Sequence, residues 1–137
     1  MPGEKRTLEQ MVDSRGRVFE ILRREQLTPT AFGQIYVFTA APGAVKGNHF
    51  HRRKMEWFCV VAGEGELDLY EVEGGRGETF VMRALEPAVV RIPPGVAHSM
   101  VNTGVDELVV LAYVTEPFDP NDTDTYPYEV PPRRRQQ

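Results

Sequence analysis

The chain has 137 residues, 41% of them hydrophobic, which suffices for one domain with a core of its own. With 16 basic against 20 acidic residues the net charge is −4, so nothing points to nucleic acid or an anionic membrane as a partner. No signal peptide is expected, and no apolar run comes near the roughly 18 residues of a membrane span. A single cysteine, Cys59, excludes an intramolecular disulfide, and a cytoplasmic protein is expected.

In chain order, Met1 to Arg6 is a charged terminus expected to be loose. Thr7 to Val12 and Arg17 to Leu22 flank the turn-forming Asp13-Ser14-Arg15-Gly16, which predicts a β-hairpin arm over residues 7–22. A short amphipathic helix over Val18 to Arg24 is the alternative. After a break at Thr28-Pro29-Thr30, Phe32 to Ala40 reads as a strand with Gln34, Tyr36 and Phe38 on one face and Ile35, Val37 and Thr39 on the other. Ala41-Pro42-Gly43 turns into a strand bearing His49 and His51, and Glu56 to Ala62 returns beside it. Gly63-Glu64-Gly65 marks the next turn. Glu66 to Val72 largely alternates polar with apolar, as in a sheet with one wet face. Gly74-Gly75-Arg76-Gly77 is a loop, and Thr79 to Leu85, Ala88 to Ile92 and Glu107 to Thr115 are strands. Between the last two, Pro93-Pro94-Gly95 turns the chain and delivers His98 to the start of another strand. About ten short strands with Gly and Pro at the corners imply an all-β, double-sheet jelly-roll barrel. From Glu116, the prolines at 117, 120, 127, 131 and 132 discourage regular structure, so a tail over 116–137 is expected to wrap the surface and end in a frayed Arg133-Arg134-Arg135.

His49 and His51 stand two apart, so on an extended strand their imidazoles point the same way and reach one ion. Glu56 opens the returning strand, and His98 follows a tight turn. All three histidines of the chain fall in these two stretches. Three imidazoles and a carboxylate suit a divalent transition metal, zinc first and Fe, Ni, Mn or Co after it. Direct substrate binding by the same residues without metal is the alternative.

These residues resemble the cupin superfamily. Gly43, His49, His51, Glu56 and Gly63 occupy the fixed positions of its first motif, and Pro93, Gly95, His98 and Asn102 those of its second, with Pro87 where a glycine would stand. A narrower resemblance covers nearly the whole chain. Asp13-Ser14-Arg15-Gly16, Lys46 to His51, Ile92 to His98, and Glu116 to Pro120 with Asp124-Thr125 are similar to the C-terminal cupin of bifunctional capsule-sugar enzymes. More distantly, the chain resembles dTDP-4-dehydrorhamnose 3,5-epimerase and the dTDP-4-keto-sugar 3,4-ketoisomerases. What this implies is a cupin double-stranded β-helix acting as an epimerase or isomerase alpha to the ketone of a nucleotide 4-keto-6-deoxy sugar, with reduction left to another protein.

Removal of such a proton needs a base beside the carbon and an electrophile for the enolate oxygen. Two versions follow: a metal as electrophile with Tyr113 or Tyr36 in proton transfer, or an empty site with His49 as base and, by the resemblance, Tyr113 protonating the opposite face. Arg15 and Lys46 are candidates for the diphosphate, Arg15 by the resemblance in a partner subunit's site, and Asn102 either faces the pocket or holds a turn. An N-terminal hairpin with little core of its own predicts a homodimer. The rival functions are a metal-dependent small-molecule dioxygenase and a non-catalytic sugar-binding cupin.

Overall fold

In a computed structural model, residues 2–27 and 32–131 are described. The break expected at Thr28-Pro29-Thr30, together with Pro132 and the end at Arg133-Arg134-Arg135, lies outside them. Among the described residues twelve strands appear in the order β1 (Glu4–Thr7), β2 (Gln10–Asp13), β3 (Gly16–Phe19), β4 (Gln34–Ala40), β5 (Val45–Phe50), β6 (Glu56–Ala62), β7 (Glu64–Glu71), β8 (Gly77–Arg83), β9 (Ala88–Ile92), β10 (Val96–Asn102), β11 (Leu108–Val114) and β12 (Tyr126–Pro127). They form two five-stranded antiparallel sheets, β1-β9-β6-β11-β4 and β12-β5-β10-β7-β8, while β2 and β3 pair only with each other. This is the double-sheet barrel expected. Among the described residues no helix is long and apolar enough to cross a membrane.

Strand alternation builds the interior. Leu67 and Leu69 of β7 and Met100 of β10 point inward from one sheet, and Phe58, Val60, Val90, Val110 and Ala112 from the other. Each large side chain so removed from water contributes roughly 1.5–3 kcal/mol. On β4 the inward residues are Tyr36 and Phe38, while Ile35 and Val37 stand exposed on the outside. A second cluster, Leu8, Trp57, Cys59, Val89 and Tyr113, lies apart from this interior and is covered by Phe19, Ile21, Leu22 and Leu27 from the N-terminal segment.

Three expectations are corrected. The terminus is not loose: Glu4–Thr7 pairs with β9, because the edge of β9 offers unpaired backbone groups, and Lys5 Nζ donates to the Val81 carbonyl of β8 at 3.1 Å. No helix forms over Val18 to Arg24; Val18 pairs with Met11 in the hairpin, and only a 3₁₀ turn, Arg24–Gln26, follows. The tail does contain a regular element, since Tyr126–Pro127 pairs with Phe50 and His49 at a sheet edge, where a proline lacking its N–H is tolerated. The tail then runs on, with the Tyr128 and Val130 amides donating to the backbone and side-chain oxygens of Asn48 at 2.9 and 3.1 Å.

Asn102 holds a turn and does not line the cavity. Its Nδ2 donates to the carbonyls of Ala40 and Asp106, both at 2.8 Å, and its Oδ1 accepts from the Gly104 amide at 2.9 Å. Asn102→Ala orphans the buried Ala40 carbonyl and the part-buried Asp106 carbonyl and Gly104 amide, and should destabilise the fold by about 1–3 kcal/mol, the range for a buried group left unsatisfied. Ligand binding by the folded protein should not change, and thermal unfolding beside a binding titration checks both halves.

Candidate active site

The site is assembled by register. On the neighbouring strands β5 and β10, His49 pairs with His98, and the ladder shifts directly after His98. Gly47, at a φ of +100°, lets β5 approach β10 so closely that a Cβ there would meet the His98 carbonyl oxygen at 2.7 Å. His51 follows the end of β5, and the facing sheet supplies Glu56 from β6 and Tyr36 from β4. The three imidazoles converge with ring centroids 4.7 to 5.5 Å apart, and one nitrogen from each lies within 4.8 Å of the others.

Two of these rings are held from behind. His51 Nδ1 lies 2.8 Å from the Asp124 carbonyl, and His98 Nδ1 lies 3.2 Å from the Val96 carbonyl. A carbonyl can only accept, so each neutral ring carries its proton on Nδ1 and presents a bare Nε2. Both Nε2 atoms are buried and lack a hydrogen-bond partner. Glu56 Oε1 is 2.9 Å from His51 Nε2, a charge contact off the hydrogen-bonding direction, and Glu56 Oε2 accepts from the Tyr36 hydroxyl at 3.0 Å. The unpartnered Nε2 atoms of His51 and His98, the convergence of one nitrogen from each of the three rings and the carboxylate beside them fit a divalent metal that His49, His51 and His98 would hold, with Glu56 adjoining.

Electrostatics divide the imidazoles. Burial, with help from His98 and His51, pulls His49 down to about 4, and burial likewise lowers His98, so both are neutral at pH 7. His51 is raised: burial works against its charge, but the Glu56 carboxylate and the Asp124 carbonyl outweigh it. Glu56 is lowered, since His51, His98 and the Tyr36 hydroxyl together overcome its burial. Burial first and the Glu56 charge second push the Tyr36 phenol up, so it stays protonated.

A cavity of about 180 Å³ opens beside the imidazoles, lined by Tyr36, Phe38, Lys46, His49, His98 and Met100 among others. A larger cleft of about 610 Å³, bordered by Phe50, Arg52 and Pro93, contains none of the histidines. The structure thus brings together His49, His51, Glu56, His98, Tyr36 and Lys46. It does not bring Tyr113 to them. Its neighbours Val110 and Ala112 alternate inward, so Tyr113 faces out, packs on Trp57, and accepts from the Gly33 amide at 3.0 Å. Arg15, at the exposed hairpin turn, pairs with Asp13 at 2.8 Å and does not reach the cavity of its own chain. Asp124 is the contributor that sequence reasoning left without a role; its type and its place in a proline-rich tail carry no signal of a contact 73 positions away.

Comparison with known proteins agrees. The family described as Polysaccharide biosynthesis C-terminal domain matches residues 11–126. UDP-2-acetamido-2,6-beta-L-arabino-hexul-4-ose reductase of Pseudomonas aeruginosa is 32% identical over 114 residues, which cover 83% of this chain and 29% of that protein. The crystal structure of the capsular polysaccharide assembling protein CapF from Staphylococcus aureus superposes with a TM-score of 0.70 at 37% identity, covering 90% of this chain and 33% of that one. The chain therefore spans about a third of the length of these relatives. A dTDP sugar isomerase from Desulfovibrio desulfuricans matches with a TM-score of 0.82 at 23% identity, over 93% of this chain and 84% of that one, and the fold is the cupin double-stranded β-helix.

The pKa shifts fix the sign of a pH dependence in the metal-free protein. Below pH 6.5 the unfolded chain takes up protons on His49 and His98 that the folded chain refuses, down to about 4 for His49, so stability falls with pH. The lowered Glu56 adds to this loss below its ordinary 4.5, whereas the stabilisation from the raised His51 is complete below 6.5 and lost only as pH rises through its folded value. The thermal midpoint should drop between pH 6.5 and 4, and a flat or rising profile there would show that His49 and His98 are not buried neutral.

Proposed function

The chain belongs to the Polysaccharide biosynthesis C-terminal domain family, and from that premise we propose that it epimerises or isomerises a nucleotide 4-keto-6-deoxy sugar alpha to the ketone, in polysaccharide biosynthesis. The observation that carries this reading is the neutral, half-buried His49 in one cavity with the protonated Tyr36, a base and an acid facing the same space. The Pseudomonas relative, named for a UDP-linked hexul-4-ose, and the dTDP sugar isomerase supply the substrate class.

The chemistry needs one proton removed and one returned. A proton next to a ketone leaves as its electrons move into an enolate, and a donor on the other face returns a proton to the same carbon and inverts it. A divalent metal, zinc before Fe, Ni, Mn or Co, would be held by His49, His51, His98 and Glu56 and would supply electrophilic stabilisation of the enolate oxygen. Glu56 orients the Tyr36 hydroxyl, which remains protonated and serves as the donor. The base depends on the metal: with none bound the His49 lone pair takes the proton, and with one bound His49 is a ligand, so a solvent molecule admitted by the cavity would take it. Lys46 at the cavity is suited to a phosphate oxygen. A cytoplasmic homodimer completes the proposal: Met11, Val12 and Val18 on the hairpin and Ile35 and Val37 on β4 leave apolar side chains exposed for a second copy, whose Arg15 would bring a further cation.

Two experiments test this. In D₂O, a UDP- or dTDP-4-keto-6-deoxy sugar should gain solvent deuterium at the epimerised carbon, and Tyr36→Phe should slow the exchange about 10²-fold or more while the protein stays folded. Failure to exchange with either nucleotide series would remove the proposal, in favour of a dioxygenase or a non-catalytic binding domain. Elemental analysis should find about one transition metal per chain. Full activity after chelation would instead leave His49 as the base of a metal-free enzyme.

A further inference from the structure

The C-terminal tail docks on the segment that follows β5 in a way the fold alone does not require. Asp124 is 3% exposed and sits at a φ of +47°, in the left-handed region that asparagine and aspartate enter more readily than other side chains. Its carboxylate accepts three consecutive backbone amides, Arg52 to Oδ1 at 3.0 Å and Arg53 and Lys54 to Oδ2 at 2.9 and 3.1 Å. Its own carbonyl lies 2.8 Å from His51 Nδ1. Lys54 Nζ adds a bond to the Thr123 carbonyl at 3.1 Å, and Thr125 Oγ1 stands 3.4 Å from His51 Nδ1. One residue thus grips the chain just after His51 with its side chain and the His51 ring with its backbone. Movement of the carboxylate would carry the carbonyl with it.

We propose that Asp124 is the positioning residue for His51: the clamp of its carboxylate on the 52–54 amides fixes its carbonyl against Nδ1, which selects the tautomer with a bare Nε2 facing His49, His98 and Glu56. The metal arm of the inference rests on the metal reading above, while the tautomer arm stands without it. The alternative tautomer, whose Nε2–H would point at Glu56 Oε1 2.9 Å away, would set the Nδ1 lone pair against the Asp124 carbonyl, so the clamp on that carbonyl decides between the two. Outer contacts of this kind on a ligating histidine typically change metal affinity 10–100-fold. His98 has its own partner two positions away, in the Val96 carbonyl of the same strand, whereas His51 depends on a distant segment.

Asp124→Ala removes both acceptor oxygens and with them all three hydrogen bonds, and Asp124→Asn keeps the backbone tolerance but loses the charge and one acceptor oxygen. In metal-free protein at alkaline pH, ring ¹⁵N shifts should give His51 as the Nδ1–H tautomer in the wild type and as a mixture in both variants. In chelator competition with zinc, affinity should fall about 10–100-fold for Asp124→Ala and less for Asp124→Asn. Asp122→Asn, which alters only an exposed pair with Arg53, should move neither readout. A single Nδ1–H tautomer in both Asp124 variants, or zinc affinity within twofold of a zinc-binding wild type, overturns the proposal. Should Asp124→Ala fail to fold, Asp124→Asn decides. A wild type that takes up no zinc, with ring shifts that still move, removes the metal reading and leaves the positioning role standing.

Discussion

The buried carboxylate of Glu56 is the constraint to which the centre of this barrel conforms. Ile92 stands beside it on β9 and Phe58 two places along its own strand, both in the apolar interior, and there an isolated carboxylate would neutralise or unfold the site. In the metal-free protein it stays charged because it raises the proton affinity of His51, whose protonated ring 2.9 Å from one oxygen offsets the burial, and because the Tyr36 hydroxyl donates to the other. Breaking a buried pair of this kind typically costs about 3–5 kcal/mol, far more than an exposed ion pair is worth. The same arrangement sets the chemistry: burial, with the Glu56 charge behind it, keeps Tyr36 protonated, and burial, aided by the other imidazoles, leaves His49 neutral.

Such a cluster forms only if every strand keeps its register. His49, His98 and Leu69 stand side by side across β5, β10 and β7, all facing in, while Tyr36 and Glu56 face them from the other sheet. A slip of one residue on β5 would turn His49 outward and place Phe50 in the interior. Gly47 secures the pairing that prevents it, because no side chain fits between β5 and the His98 carbonyl. The same parity separates two tyrosines alike in sequence: Tyr36 lies on an inward row, and Tyr113 on an outward one beneath Phe32 and beside Trp57.

The tail ties itself to the rest by local means. Asn48, at a φ of +59°, receives the Tyr128 and Val130 amides, the Tyr126 ring stacks on Phe50, and Arg52 lies 4.3 Å over Tyr126. Prolines that cannot join a sheet interior can still lie along an edge, and that edge runs past His51. The segment that looks least structured in sequence therefore carries a contact to the site.

Much of this protein was legible in its sequence. Glycine and proline at the corners of short β-branched runs gave the strands and the barrel, since turn conformations and the two-residue period of a strand are local properties. The spacing of His49 and His51, with Glu56 and His98 near turns, marked the cluster for the same reason. Sequence could not decide which face Tyr113 takes, because parity counts from a register set by strand pairing. It could not decide that Asn102 spends its amide on Ala40 and Asp106, that Glu4–Thr7 closes the edge of β9, or that Asp124 supports His51. Those are contacts between residues far apart in the chain, and only packing of the two sheets and the tail brings their atoms within hydrogen-bonding distance.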